Sequence, residues 1–435
     1  MKKINIGCGA GFSGDRLEPA VVLADKAGLD YLVLECLAER TIAIAQKQKL
    51  SNPNAGYDPF LERRISSLLP YLVKNKITLI TNMGAANPIA AAKKALEIAK
   101  KGGFNLKIAA VYGDDVLDKL TGDEIASETK KAIRESGELV SANAYLGVDG
   151  ILEALRQEAQ IIITGRVADP SLVLAPLMHE FGWESNDQLG QGTVIGHLLE
   201  CAGQLTGGYF MDKGKKSIPD PAHLGHPFAE VSEDGTAIFQ KVPGTGGLLN
   251  LDTVKEQLLY EVVNPLAYQT PDITADFTTV RLKQEEENKV RVSGGTGKAA
   301  SETLKVSVGY RAFYLGEGEI SYTGHDSLER AQLAAEVVEE RLSGLVDEMQ
   351  VNFIGQNAIV KGKPMDAKPR EIRLRIAAKC KNLSTANLVG EEVEALYTNG
   401  PAGGGGVRKY SKEVIGIHSI YLDRKLAEPR VEIFE

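Results

Sequence analysis

The first half of the chain alternates short apolar runs with stretches of helical periodicity. The runs are Ile4 to Ile6, Tyr31 to Leu34, Ile77 to Ile80, Ile108 to Val111 and Ile161 to Ile163. Runs this short, rich in Ile and Val, match strands buried on both faces, with the helices between them as covering layers. One such stretch is Ala90 to Lys101 (AAAKKALEIAKK), where Leu96 and Ala99 share a face. The pattern predicts an α/β fold whose first domain, residues 1–212, is a mostly parallel sheet with flanking helices.

The grammar changes after a break at Lys213 to Pro227 (KGKKSIPDPAHLGHP), which reads as linker or surface loop. Phe228 to Val242 alternates around Asp234-Gly235, as a hairpin does. Phe277 to Val292 repeats that pattern around QEEEN, and Val306 to Tyr322 reads as a third hairpin turning at Gly316 to Gly318. Long helical patterns follow at Ser327 to Met349 and Ser384 to Thr398. Strands that come in pairs predict a smaller α+β domain with antiparallel hairpins over residues 228–435, including the Gly-rich stretch Gly403 to Gly406. The terminal VEIFE reads as a strand, and an open strand edge invites association. Its neighbour is expected within the second domain, across a homo-oligomer interface, or in a separate small partner protein.

Composition narrows the class. A hydrophobic fraction of 43% and a charged fraction of 25% over 435 residues exclude disordered and fibrous chains. A net charge of −8 argues against nucleic acid as a partner, because that binding depends on neutralising phosphates with Lys and Arg. An anionic small substrate stays compatible, since a local site can be positive on an acidic protein. Cys8, Cys36, Cys201 and Cys380 form no CxxC pair, which points to reduced thiols in a cytoplasmic location. No stretch approaches the ~20 apolar residues of a membrane span, and MKKINIGCGAG lacks the apolar run of a signal peptide. No membrane is expected as a partner.

Several motifs fall away on physical grounds. Gly9-Ala10-Gly11-Phe12-Ser13-Gly14 is a literal GxGxxG after the first strand, and Glu35 stands where a dinucleotide fold keeps its ribose-binding acid. A helix opening within those glycines would hold Pro19 in its interior, at a cost of about 3 kcal/mol or more. Pro19 instead suits the first turn of a helix starting near Leu17 or Glu18. The glycines then form a substrate-facing loop with Ser13, Asp15 and Arg16 at its far end. Gly294 to Lys298 fails as a phosphate loop, since Val292 and Ala299 replace a required glycine and hydroxyl. The six histidines include no HxH or HExxH pair, so no metal is expected, and no GxSxG elbow is present. Cys201 falls on a helical stretch, where packing is its ordinary role. No cofactor is expected.

The polar residues that end the apolar runs make a more coherent set. Asp15 and Arg16 follow the first run; Glu35, with Glu39 and Arg40, the second; Asn82 and Asn87 the third; Asp114 and Asp115 the fourth; Arg166 and Asp169 the last. In open α/β sheets ligands bind outside the carboxyl ends of the strands, so these loops gather at one edge. Glu35 or Asp114 is expected to act as acid and base, with Asn82 and Asn143 as polarising amides. Arg166 and Arg16 are expected to clamp a carboxylate. Ser13, Asp15, Asn87 and Asp169 complete the substrate side. Local roles compete with these: Asp169 before Pro170 is a good helix cap, Asp114-Asp115 can start a helix, and Glu39 and Arg40 can be solvated.

Several segments also resemble the acyclic terpene utilisation (AtuA-like) family. They are GAGFSGDR (Gly9 to Arg16), DYLVLECLAERT (Asp30 to Thr41), TNMGAANP (Thr81 to Pro88) and ITGRVADPSLVLAPLMHEFGW (Ile163 to Trp183). ECAGQLTGGYF (Glu200 to Phe210), GHPFAEV (Gly225 to Val231), VPGTGG (Val242 to Gly247) and NGPAGGGG (Asn399 to Gly406) continue the order. The resemblance implies catabolism of branched acids and acyl-CoA thioesters. With the polar edge, it leads to a lyase, hydratase or isomerase acting on a small carboxylic acid or its thioester. The rival is a non-catalytic acyl-CoA-binding or scaffold subunit. Longer members carry a further small C-terminal module that this chain is expected to lack.

Overall fold

The computed structural model describes residues 1–360 and 369–435. Compactness divides them into two units, one of residues 1–134, 139–309 and 417–435, the other of residues 135–138 and 310–416.

In the first unit the chain order opens β1 (Lys3–Ala10), α1 (Glu18–Lys26), β2 (Tyr31–Leu34), α2 (Glu39–Ser51), α3 (Leu61–Asn75), β3 (Thr78–Thr81), α4 (Pro88–Lys101) and β4 (Ile108–Tyr112). It continues with β5 (Leu139–Ala144), α5 (Asp149–Arg156), β6 (Ile161–Thr164), α6 (Ser171–Phe181) and α7 (Asn186–Glu200). Then come β7 (Pro227–Ser232), β8 (Ala237–Lys241), α8 (Leu251–Leu259), β9 (Tyr268–Gln269), β10 (Thr274–Asp276), β11 (Arg281–Glu286), β12 (Lys289–Ser293) and β13 (Thr296–Lys298). The long strands β14 (Thr303–Thr323) and β17 (Gly405–Asp423) carry the chain out of this unit and back. Between them lie α9 (Ser327–Leu342), β15 (Glu348–Ile354), β16 (Glu371–Cys380) and α10 (Leu383–Asn399), and β18 (Arg430–Phe434) ends the chain.

The five apolar runs form the parallel centre of a ten-stranded sheet, in the order β1-β2-β3-β6-β4. Alternate residues feed opposite cores, Tyr31, Val33, Ile80 and Ile162 on one face and Leu32, Leu34, Leu79 and Ile163 on the other. Two-sided burial is why the runs are uninterrupted in sequence. The hairpins at Asp234-Gly235 and QEEEN both form, and extend the same sheet antiparallel beyond β1 in the order β7-β8-β12-β11. The terminal strand does not pair within the second domain, where a neighbour was expected. It pairs antiparallel with β4, Arg430 opposite Tyr112 and Phe434 opposite Ile108, and so itself becomes the outermost strand of the sheet.

Helix α1 begins at Glu18 with Pro19 in its first turn; Gly9 lies within β1, and Gly11 and Gly14 lie in the loop between. Gly11 serves a close approach: a Cβ there would stand 2.6 Å from the Cys201 carbonyl carbon.

The second unit holds the antiparallel order β15-β16-β14-β17, with α9 and α10 packed on a core of Ile320, Ile372, Leu374, Val338 and Val393. No turn occurs at Gly316 to Gly318; β14 runs straight through them. A Cβ on Gly316 would lie 2.2 Å from the Ala386 carbonyl oxygen, and one on Gly318 2.7 Å from Val393. These glycines let α10 lie close on the strand, a long-range demand that local reading takes for a turn.

Candidate functional site

Arg166, just after β6, is the centre of a buried polar network. Only 1% of its surface is exposed, and its donors are committed within the protein. Nε and one terminal nitrogen donate to the Val167 carbonyl at 2.9 and 2.6 Å. The other terminal nitrogen donates to the Leu37 carbonyl, and the Asp169 carboxylate accepts from the first. The guanidinium carbon lies 4.5 Å from the centre of the Tyr145 ring. Asp169 therefore spends its side chain on Arg166, and α6 starts without a side-chain cap.

At Tyr145 and Asp169 the network meets a cavity of about 270 Å³, whose wall also includes Glu39, Glu261, Tyr268 and Lys305. The Tyr145 hydroxyl donates to Glu39 Oε1 at 2.7 Å. Lys305 Nζ lies 3.1 Å from the same oxygen and 5.0 Å from the ring centre. Lys305 arrives on β14, whose first residues are held beside β5, with the Tyr145 amide donating to the Lys305 carbonyl at 2.9 Å.

Burial opposes ionisation of Glu39, but the Tyr145 hydroxyl, its own backbone N–H and the Lys305 ammonium outweigh it and hold the carboxyl at about 2. Asp169 shifts the other way: burial raises it more than Arg166 lowers it. With 34% of its side chain exposed at the cavity, Asp169 feels that burial less than a wholly enclosed acid. Two carboxyls in one wall are thus shifted in opposite directions, a pattern compatible with divided proton-handling roles.

Further acids surround this wall. Glu35 is buried and raised well above the usual carboxylate range, first by burial and then by Asp169. It accepts from the Leu37 amide at 2.8 Å and from Asn82 Nδ2 at 2.9 Å, while Asn82 Oδ1 accepts from the Cys36 amide at 2.7 Å. Glu200, at the end of α7, is raised by burial and by its acidic neighbours Asp169 and Glu261. Its partner His197 is depressed to about 4 by burial. His197 Nε2 faces the Gln257 carbonyl at 2.9 Å and must donate there, so Nδ1 accepts, 3.1 Å from Glu200 Oε1. A protonated Glu200 supplies that hydrogen.

The remaining expected residues fall in two other places. Asp114 is buried and pushed up to about 6, mainly by burial; its Oδ2 accepts from Asn143 Nδ2 at 2.8 Å and the Arg166 amide at 3.1 Å. With Asn87 it lines a second cavity of about 470 Å³ that also contains Lys49, Lys425 and Arg430. Asn87 caps α4 and donates to the Pro53 and Ala55 carbonyls, both at 2.8 Å. Ser13, Asp15 and Arg16 are built into the glycine loop: Asp15 Oδ2 accepts from the Gly11 amide at 3.0 Å, and Arg64 donates to the Ser13 and Asp15 carbonyls. Arg16 donates to the Ala222 carbonyl at 2.7 Å. The structure therefore brings Glu35, Asn82, Arg166 and Asp169 together, joins Asp114 and Asn143 to them through the Arg166 amide, and gives Ser13, Asp15 and Arg16 hydrogen bonds outside that network.

Sequence reasoning missed Tyr145, Glu261, Tyr268 and Lys305. Only Tyr145 carried a signal, its place after Asn143. Among the described residues no cluster of three His, Cys, Asp or Glu side chains could hold a metal ion.

A family model for the acyclic terpene utilisation family protein AtuA matches residues 4–433. The chain belongs to that family. Its description assigns the family to acyclic terpene utilisation, in agreement with the motifs from GAGFSGDR to NGPAGGGG. No curated protein and no solved structure matches the chain. Among the described residues no helix is long and apolar enough to cross a membrane.

Proposed function

We propose that the protein is an enzyme of lyase, hydratase or isomerase type, moving protons on a small carboxylic acid or its acyl-CoA thioester. The observation that carries this reading is the pairing of Glu39, held at about 2, with the raised Asp169 in one cavity wall beside Lys305. A carboxyl at about 2 is a poor base. Glu39 stays ionised and holds Tyr145 and Lys305 in place. The Lys305 ammonium then binds the substrate carboxylate or the thioester carbonyl oxygen as negative charge develops there. Asp169 keeps a proton into a higher pH range than an ordinary aspartate and delivers it to the substrate as general acid. Chemistry of this kind is proton transfer and requires no cofactor. The outer strand of the second sheet, residues 405–416 of β17, supports assembly as a homo-oligomer in the same reading, since a long edge invites pairing with a second copy.

Turnover of a panel of small hydroxy acids, unsaturated acids and their thioesters tests the reading. Asp169→Asn should lower kcat by roughly 10²- to 10⁴-fold and flatten the alkaline limb of the pH–rate profile, because the active form carries the proton. Lys305→Ala should raise KM most. Tight binding of a thioester with no turnover of any member would reject the enzyme and leave the acyl-CoA-binding subunit.

A further inference from the structure

A third cavity, of about 380 Å³, lies where α8 meets the segment that follows α7, with Tyr209, Phe210, Met211, Lys216, Gln257 and Tyr260 in its wall. Nothing in the acid–base reading uses it, although its wall residue Tyr260 is the chain neighbour of Glu261 in the reacting cavity. Three independent features single it out.

The first is Tyr209. It holds a left-handed backbone, φ 63°, and leaves 85% of its surface exposed, with its ring edge-on to Tyr260 at 6.2 Å between centres. A bulky residue in that backbone region costs free energy, and an exposed aromatic gains little from packing to offset it. A ring that lacks a covering neighbour is the feature a flat ligand supplies.

The second is Gln257, whose side chain is buried. Its Nε2 donates to the His197 carbonyl at 3.0 Å, and its amide also reaches the Cys201 thiol. Its Oε1 is nonetheless buried without a hydrogen-bond partner in the cavity wall. A buried orphan acceptor calls for an N–H or O–H donor.

The third is charge. Lys213, Lys215 and Lys216 sit on the adjoining loop; Lys215 pairs with Asp212 at 3.2 Å, Lys216 Nζ lies 4.8 Å above the Phe210 ring while pairing with Glu256, and Lys213 is exposed, so the three lysines outnumber the two acids of the wall. A stacking ring, one orphan acceptor and a lysine-rich rim together describe a planar heterocycle with an exocyclic amine, carrying phosphate.

We infer that this cavity binds the adenine nucleotide portion of a ligand: the ring stacks on Tyr209, its amine donates to Gln257 Oε1, and its phosphates meet Lys213. The nucleotide comes either as a free adenine nucleotide or as the tail of a CoA thioester. The second source rests on the function proposed above; the first does not.

Isothermal titration of the full chain with AMP, CoA, adenosine and inorganic phosphate tests the site. AMP and CoA should both bind, adenosine more weakly, and phosphate alone not measurably. Tyr209→Ala, at an exposed ring that the fold does not need, should weaken AMP and CoA about tenfold to hundredfold. Lys213→Glu should weaken AMP and CoA but leave adenosine unchanged. Affinity for CoA well above that for AMP assigns the thioester tail, and equal affinities assign a free nucleotide. Failure of AMP and CoA to bind, or binding that Tyr209→Ala does not weaken, overturns the inference. Binding alone is read, so an enzyme without turnover on small acids leaves this test intact.

Discussion

Two arginine networks, one in each unit, are built from the same residue types and do opposite things. On the second sheet Arg373 pairs with Glu319 at 3.0 Å, and Arg375 pairs with Glu317 and donates a 3.1 Å hydrogen bond to Asn352 Oδ1. Cations and carboxylates match one to one, and Arg373 and Arg375 keep 32% and 31% of their side chains exposed. Around Arg166 the count does not match. Glu35, Asp169 and Glu200 all lie within the electrostatic reach of one buried guanidinium, and all three are raised. Water shares the cost of charge in the first network. In the second, burial penalises each added negative charge and shifts the surplus acids toward the protonated form. A partly exposed ion-pair ladder and a buried, acid-rich network thus differ in burial and stoichiometry.

Removing the central cation tests this difference most severely. Arg166→Met leaves the Leu37 and Val167 carbonyls without their donor and Asp169 without its counter-ion. The expected loss is roughly 3–5 kcal/mol, read by urea denaturation. A loss below about 1 kcal/mol would mean that the network tolerates uncompensated acid and that the contrast fails.

A carboxyl beside the network gives the next effect. The folded protein holds the Asp114 proton up to about 6, against an ordinary 3.8. Folding therefore binds a proton between those values, and the stability tied to Asp114 falls as pH rises through that window, levelling above it. The fall amounts to about 3 kcal/mol. Asp114→Asn should remove it, so that the variant gains on the native protein between pH 4 and 7. Parallel stability curves for the two proteins would place Asp114 in water.

The smallest effect belongs to the ladder. Arg375→Ala should cost less than about 1 kcal/mol, because exposed pairs contribute little. A value comparable to that of Arg166→Met, from the same denaturation series, would erase the distinction between the two networks.

Local chemistry accounts for what was legible beforehand. The five parallel strands follow from uninterrupted apolar runs, α1 from the position of Pro19, and the two hairpins from their turn residues. The gathering of Glu35, Asn82, Arg166 and Asp169 at one strand edge was also readable, because strand order does not alter which end of a parallel strand a loop follows. Which of these side chains would face an opening was not. Arg166 reads as a clamp until its acceptors, Leu37 and Val167, are seen to occupy it.

The sequence by itself therefore determined the elements, the parallel centre and the polar edge, since each depends on residues a few positions apart. Tertiary structure alone decided the rest. It placed Lys305 beside Glu39, 266 positions away in the chain. It set β18 against β4, and it turned Gly316 and Gly318 from an apparent turn into the seat of α10. Those outcomes depend on which distant backbones meet, and on how much water remains between charges once they do. No periodicity along the chain encodes either.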